Sequence, residues 1–199
     1  MTKQVVIIHG GTTFNSKKEY LEYLENQTID IERLKPGYDW KQTVQEQLGD
    51  QFSVLCVKMP NSTNSQYNEW KLWFENLLTV LNKELILVGH SLGAVFLAKY
   101  LSEHLIDNSI TKLILVAPPY SDTKEEPLAS FKIKGNLHKI DQQVPKIYIF
   151  HSKDDVVVPY QDALIYEKNL NNSELISFDN RQHFNQENFP ELVAVINKP

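Results

Sequence analysis

The sequence predicts an α/β protein, a three-layer α/β/α sandwich around about six mostly parallel strands. Two observations carry this. Short runs rich in Val, Ile and Leu alternate with longer amphipathic stretches along the 199 residues. A Gly-x-Ser-x-Gly pentapeptide joins one such run directly to an apolar helical stretch.

The elements follow in order. Val5–Ile8 is a β-branched run and reads as a first strand. From Ser16 to Asn26, Tyr20, Leu21 and Leu24 recur at helical spacing, and Ser16 with Glu19 fits a capping box. Phe52–Val57 reads as a second, buried strand. Tyr67–Leu81 places Trp70, Trp73, Phe74, Leu77, Leu78 and Leu81 on one helical face, so both tryptophans are expected to pack. Glu84–Val88 is a third strand and Ser91–Leu105 a strongly apolar helix. Lys112–Ala117 and Lys146–Phe150 are two more strands, and Asp162–Leu170 is a helix. Leu175–Phe178 is a sixth strand, and Pro190–Ile196 a last helix with proline in its first turn. Strands this apolar are expected when both sheet faces are covered. Two segments break the rhythm. Thr28–Gly49 is partly polar, and Pro118–Val144 reads as a loop or small cap within a single domain spanning 1–199.

Composition narrows the function. Apolar residues make up 42% and charged residues 23%, as in ordinary globular chains. The net charge of -5 and the absence of a Lys/Arg cluster argue against nucleic acid, whose phosphates demand clustered cations. No apolar stretch approaches a membrane span, and Met1–Gln4 runs into a strand without a signal-peptide pattern, so a cytoplasmic location is expected. Cys56, the only cysteine, is read as a small buried hydrophobe. No paired His/Cys/Asp spacing suggests a metal, and no cofactor is expected.

Four stretches carry chemistry. In Val88-Gly89-His90-Ser91-Leu92-Gly93-Ala94, a sharp strand-to-helix turn would lift the Ser91 hydroxyl above the sheet. Such a turn crowds the residues two before and two after the serine, and Gly89 and Gly93 meet that demand. The helix start directs free N–H groups at a developing oxyanion, with Leu92 N–H as one donor. His9-Gly10-Gly11-Thr12-Thr13 follows the first strand and offers a second donor, Gly11 or Thr12. Asp154-Asp155 follows the fifth strand. Either could orient a catalytic histidine, and Asp155, four residues before Pro159, is preferred. Of the six histidines only His183 lies after these aspartates, which makes it the candidate base. His90 would pack or bond locally, His151 would support the acid loop, and His104 and His138 read as surface residues. Phe14, Tyr120, Phe184 and Phe189 are candidates to line the site.

Together these stretches resemble the α/β-hydrolase superfamily. The short chain is similar to its minimal members, the small serine hydrolases related to the retinoblastoma-binding serine hydrolase. The resemblance implies a fold lacking two strands with which larger members begin, and it assigns a triad of Ser91, Asp155 and His183. It also implies hydrolysis of an ester, thioester or amide of a small molecule through an acyl-enzyme, without a cofactor. Gln182-His183-Phe184 departs from the Gly-His of many members, where glycine helps the loop turn. Rival readings are a hydrolase-fold binding or regulatory module with weak activity, and a hydrolase-fold lyase, haloperoxidase or acyltransferase. A flavodoxin-like phosphate binder would need a phosphate loop that His9–Thr13 does not provide.

Overall fold

The computed structural model describes residues 2–31, 39–123 and 127–199. Six strands form one sheet: β1 (Lys3–Ile8), β2 (Phe52–Val57), β3 (Glu84–His90), β4 (Ser109–Val116), β5 (Ile147–Ser152) and β6 (Ser173–Phe178). Their order is β2-β1-β3-β4-β5-β6, and every pairing is parallel. The sheet is therefore the one the sequence predicts.

This order places the site. The connection after β1 runs outward to β2, whereas the next strand, β3, returns to the other side of β1. Adjacent strands whose connections diverge leave a crevice at their carboxyl ends. The His9–Thr13 loop after β1 and the Ser91 turn after β3 both open into that crevice.

Among the described residues there are seven α-helices: α1 (Lys17–Asn26), which buries no residue, α2 (Trp40–Leu48), α3 (Tyr67–Leu78), α4 (Leu92–Glu103), α5 (His138–Gln143), α6 (Tyr160–Asn169) and α7 (Pro190–Asn197). Two buried clusters flank the sheet. One joins α3, α4 and α6 to Val6, Leu87, Leu113 and Ile149. The other joins α2 and α7 to Val5, Val88, Ile114 and Phe150. Alternate residues of one strand thus feed opposite clusters, as the strand period of two requires. Every residue of α4 from Leu92 to Leu101 is buried. Its one lysine, Lys99, satisfies its ammonium with Glu103 at 2.6 Å and the Lys132 carbonyl at 3.1 Å.

Three expectations are corrected, and a segment that breaks the strand–helix rhythm holds a helix. Thr28–Gly49 contains α2, which starts on a capping box: Lys41 N–H donates to Asp39 Oδ1 and Asp39 N–H to Gln42 Oε1, each at 2.8 Å. Cys56 is exposed on β2, an edge strand of the sheet, where its thiol donates to the Lys41 carbonyl of α2 at 2.9 Å. Trp73 is 50% exposed although Trp70 is fully buried, because the buried stripe of α3 is narrower than its apolar stripe. Phe184 and Phe189, expected at the site, are core residues at 0% and 1% exposure.

In the 118–144 segment, Leu128, Phe131 and Ile140 pack into the cluster around α4. Pro119, Ser121, Pro127 and Leu128 reach the crevice. Among the described residues no helix is long and apolar enough to cross a membrane.

Candidate active site

Ser91 occupies the turn between β3 and α4 at φ 54°, ψ −121°. A non-glycine residue there costs on the order of 1–3 kcal/mol, so surrounding contacts must hold it. Ser91 N–H donates to the Val116 carbonyl at 2.8 Å, tying the turn to β4. The flanking glycines are required sterically. A Cβ on Gly89 would lie 2.5 Å from Gly93 O and from Ala94 Cα. A Cβ on Gly93 would lie 2.3 Å from Ile8 O, so Gly93 lets α4 approach the end of β1. Gly10 faces the serine itself: its Cβ would stand 3.2 Å from Ser91 Cβ.

His9 anchors its own loop. Its Nε2 accepts from Met59 N–H at 2.9 Å, so Nδ1 carries the proton and donates to the Gly10 carbonyl. Thr12 N–H donates to Ser62 O at 2.8 Å, and Ser65 N–H returns a bond to Thr12 O at 2.8 Å. Thr12 is thereby corrected as an oxyanion donor, since its N–H is already committed. Gly11 N–H has no partner among the described residues, and Leu92 N–H is a free donor of the first helical turn.

The two aspartates after β5 separate cleanly. The Asp155 side chain is fully buried; its Oδ1 accepts from Val157 N–H at 2.8 Å and Val158 N–H at 3.0 Å. Its Oδ2 receives the Nδ1 proton of His183 at 2.9 Å. Asp154 instead receives the Ser152 hydroxyl and, at 3.0 Å, Gln182 N–H. The Ser152 hydroxyl bond comes first in holding the Asp154 carboxyl below its ordinary pKa.

His183 sits on the loop between β6 and α7. Both neighbours, Gln182 (φ 48°) and Phe184 (φ 55°), are left-handed, so Gln182 adopts the conformation that glycine would take freely. The His90 and His183 rings meet at 5.1 Å, tilted by 44°, and His90 Nε2 donates to the His183 carbonyl at 2.8 Å. Burial, reinforced by the nearby Lys41 ammonium, holds His90 well below the usual histidine pKa and therefore neutral. His151 is fully buried and donates from Nδ1 to Ser152 O at 3.0 Å; burial lowers its pKa as well. Ser91 Oγ has no hydrogen-bond partner among the described residues.

A cavity of about 30 Å³ opens beside Ser91, room for roughly two waters. Its walls include Gly11, Thr13, Leu92, Pro119, Leu128 and Val158. Tyr120 stands behind this wall, packed edge-on to Tyr166. Asp162, buried in the first turn of α6, fixes the wall by accepting Tyr120 N–H at 2.7 Å and the Ser121 hydroxyl at 2.6 Å. Phe14 packs on Tyr20 and Tyr23 of α1.

Sequence reasoning missed α2 as part of the site, although Asp39 three residues before Gln42 is a capping-box signature. Trp40 indole N–H donates to Phe184 O at 2.9 Å, and Thr43 hydroxyl to Glu187 O at 2.7 Å.

A parallel sheet in this order, with a serine at a strained strand–helix turn, defines an α/β-hydrolase. The sequence profile of the serine hydrolase family matches residues 35–194, and the chain belongs to that family. The chain is 28% identical over 162 residues to the serine hydrolase RBBP9 of Rattus norvegicus, covering 80% of this chain and 83% of that protein. Among solved structures, the ydeN gene product of B. subtilis superposes with a TM-score of 0.76 at 20% identity, covering 98% of this chain and 97% of that one. A serine hydrolase, CCSP0084, from Cycloclasticus zankles superposes with a TM-score of 0.66 at 12% identity, covering 98% and 88%.

Proposed function

We propose that the protein cleaves a carboxylic ester, thioester or amide through Ser91, His183 and Asp155. The observation that carries this reading is the 2.9 Å bond from His183 Nδ1 to the buried Asp155 carboxylate, taken with the strained Ser91 turn. That bond commits the Nδ1 proton to Asp155, so Nε2 keeps the lone pair a general base needs. As the substrate seats, Ser91 Oγ attacks the carbonyl carbon and its proton passes to His183 Nε2. Catalytic hydrogen bonds of this kind commonly tighten only in the loaded enzyme. Gly11 N–H and Leu92 N–H donate to the oxyanion. Collapse of the tetrahedral intermediate expels the leaving group, which takes the proton from His183. Water then attacks the acyl-enzyme with His183 again as base, regenerating Ser91.

The small cavity beside Ser91 supports a short acyl group, with the larger leaving group directed to solvent. The test is labelling with a fluorophosphonate, followed by a p-nitrophenyl ester series. The expected result is labelling of the wild type, none of Ser91→Ala, and turnover that falls with acyl chain length. A folded wild type that resists the probe would overturn the reading and favour a binding role.

A further inference from the structure

His183 is held in place by its backbone as much as by its side chain. It lies between two residues at positive φ, Gln182 and Phe184. Each such residue costs on the order of 1–2 kcal/mol, so a free loop of this sequence would relax to another shape. Relaxation would swing the imidazole away from Asp155. Three contacts prevent it, and each grips a different peptide unit. Asp154 Oδ1 accepts Gln182 N–H at 3.0 Å. His90 Nε2–H donates to His183 O at 2.8 Å. Trp40 Nε1–H donates to Phe184 O at 2.9 Å.

The last two donors come from elements remote from the loop in sequence, and they support each other. The Trp40 ring meets the His90 ring edge-on at 5.9 Å and the Phe189 ring at 5.6 Å. α2 then continues along the loop: Trp40 N–H donates to Gln186 O at 2.9 Å, Thr43 Oγ1 to Glu187 O at 2.7 Å, and Gln47 Nε2 to Asn188 Oδ1 at 3.1 Å. Positions 40, 43 and 47 share one helical face. One face of α2 thus reads successive groups of the loop from 184 to 188.

We infer that Trp40 and His90 are positioning residues for His183, clamping consecutive carbonyls of a strained loop so that its imidazole stays aligned between Asp155 and Ser91. This inference rests on the triad reading above. It assigns roles to a helix and to the residue preceding Ser91, and neither residue touches the substrate in the proposed chemistry.

The substitutions separate donor from bulk. Trp40→Phe keeps a phenyl ring against Phe189 and removes the N–H together with the five-membered ring of a buried side chain, so the His90 pair carries the separation of donor from bulk. His90→Leu removes the donor, and His90→Gln restores an amide N–H near the position of Nε2. Reaction with p-nitrophenyl acetate, fluorophosphonate labelling rates, and the downfield proton NMR signal of the His183 Nδ1–H are read on the full-length folded proteins. A misplaced base costs about 10- to 100-fold in rate. Trp40→Phe and His90→Leu are therefore expected to lower kcat and labelling rate by that factor. KM should stay within about two-fold, because acyl-group binding is untouched. The Nδ1–H signal should broaden or vanish in both variants and return with activity in His90→Gln.

Wild-type rates and an unchanged Nδ1–H signal in Trp40→Phe and His90→Leu would overturn the inference, as would a His90→Gln no better than His90→Leu. If Trp40→Phe does not fold, the two His90 variants decide. If the wild type itself resists the probe, the hydrolase reading fails, and the NMR signal alone decides the clamp: its persistence in Trp40→Phe and His90→Leu would reject it, and its loss would uphold it.

Discussion

Asp155 accepts the Nδ1 proton of His183 at 2.9 Å from a carboxylate that is fully buried and anchored by two backbone N–H groups. Asp154, its neighbour, spends its carboxylate on Ser152 and Gln182. Asp155→Asn should therefore keep the Val157 and Val158 bonds through its amide oxygen and turn an NH2 toward His183. That forces the wrong tautomer, with an expected loss of about 10⁴ in kcat and little change in melting temperature. Asp154→Asn should lose far less. Steady-state kinetics on p-nitrophenyl acetate with thermal melts check both; equal losses would refute the division of roles.

Gly93 and Gly10 fail differently when enlarged. A Cβ on Gly93 meets the carbonyl oxygens of Ile8 and His9 at 2.3 and 2.6 Å, and backbone cannot step aside cheaply. Gly93→Ala should cost at least about 2 kcal/mol of stability, measured by urea unfolding. Gly10→Ala places its methyl 3.2 Å from Ser91 Cβ, beside the proposed nucleophile. It should fold normally and lose labelling rate.

Gln182 tests the loop. At φ 48° it stands where glycine would be unstrained, but glycine also gains freedom in the unfolded chain. Gln182→Gly should thus change stability by less than about 1 kcal/mol. Gln182→Val, β-branched and poorly tolerated at positive φ, should destabilise measurably more and slow turnover. Urea midpoints and kcat on the two variants give the comparison.

Two buried histidines make acid costly. His90 and His151 both have folded pKa values depressed below the ordinary 6.5, chiefly by burial. The unfolded chain therefore binds protons that the folded chain refuses. Stability is complete above about pH 6.5 and falls as pH drops below it, until the folded values are reached, by up to about 1.4 kcal/mol per pH unit per histidine. Urea midpoints at descending pH should show this loss, and His151→Gln should flatten the slope.

The tryptophans of α3 should part company. Trp70 is fully buried and donates to Pro60 O at 2.8 Å, so Trp70→Ala should cost about 3–5 kcal/mol. Trp73 is half exposed, and Trp73→Ser should change stability by less than about 0.5 kcal/mol. Calorimetric melts distinguish them.

Much of the fold was legible because it rests on local pattern. The apolar runs at Val5, Phe52, Glu84, Lys112, Lys146 and Leu175 each became a strand. The pentapeptide around Ser91 stated its own geometry, since only glycine tolerates the backbone contacts at 89 and 93. What failed was environment. Cys56 reads as apolar and buried, and only the strand order puts it on an edge. Phe184 and Phe189 stand beside His183 in sequence, yet their rings turn into the core behind it.

The sequence by itself determined the strands, the serine turn, and His183 as the one histidine after the acid loop, because each depends on spacing within a few residues or on chain order. The tertiary structure alone decided which aspartate meets that histidine, which loop N–H stays free, and that α2 grips the histidine loop. Those outcomes depend on contacts between residues far apart in the chain, where a hydrogen bond of about 3 Å selects one atom among neighbours that local pattern cannot tell apart.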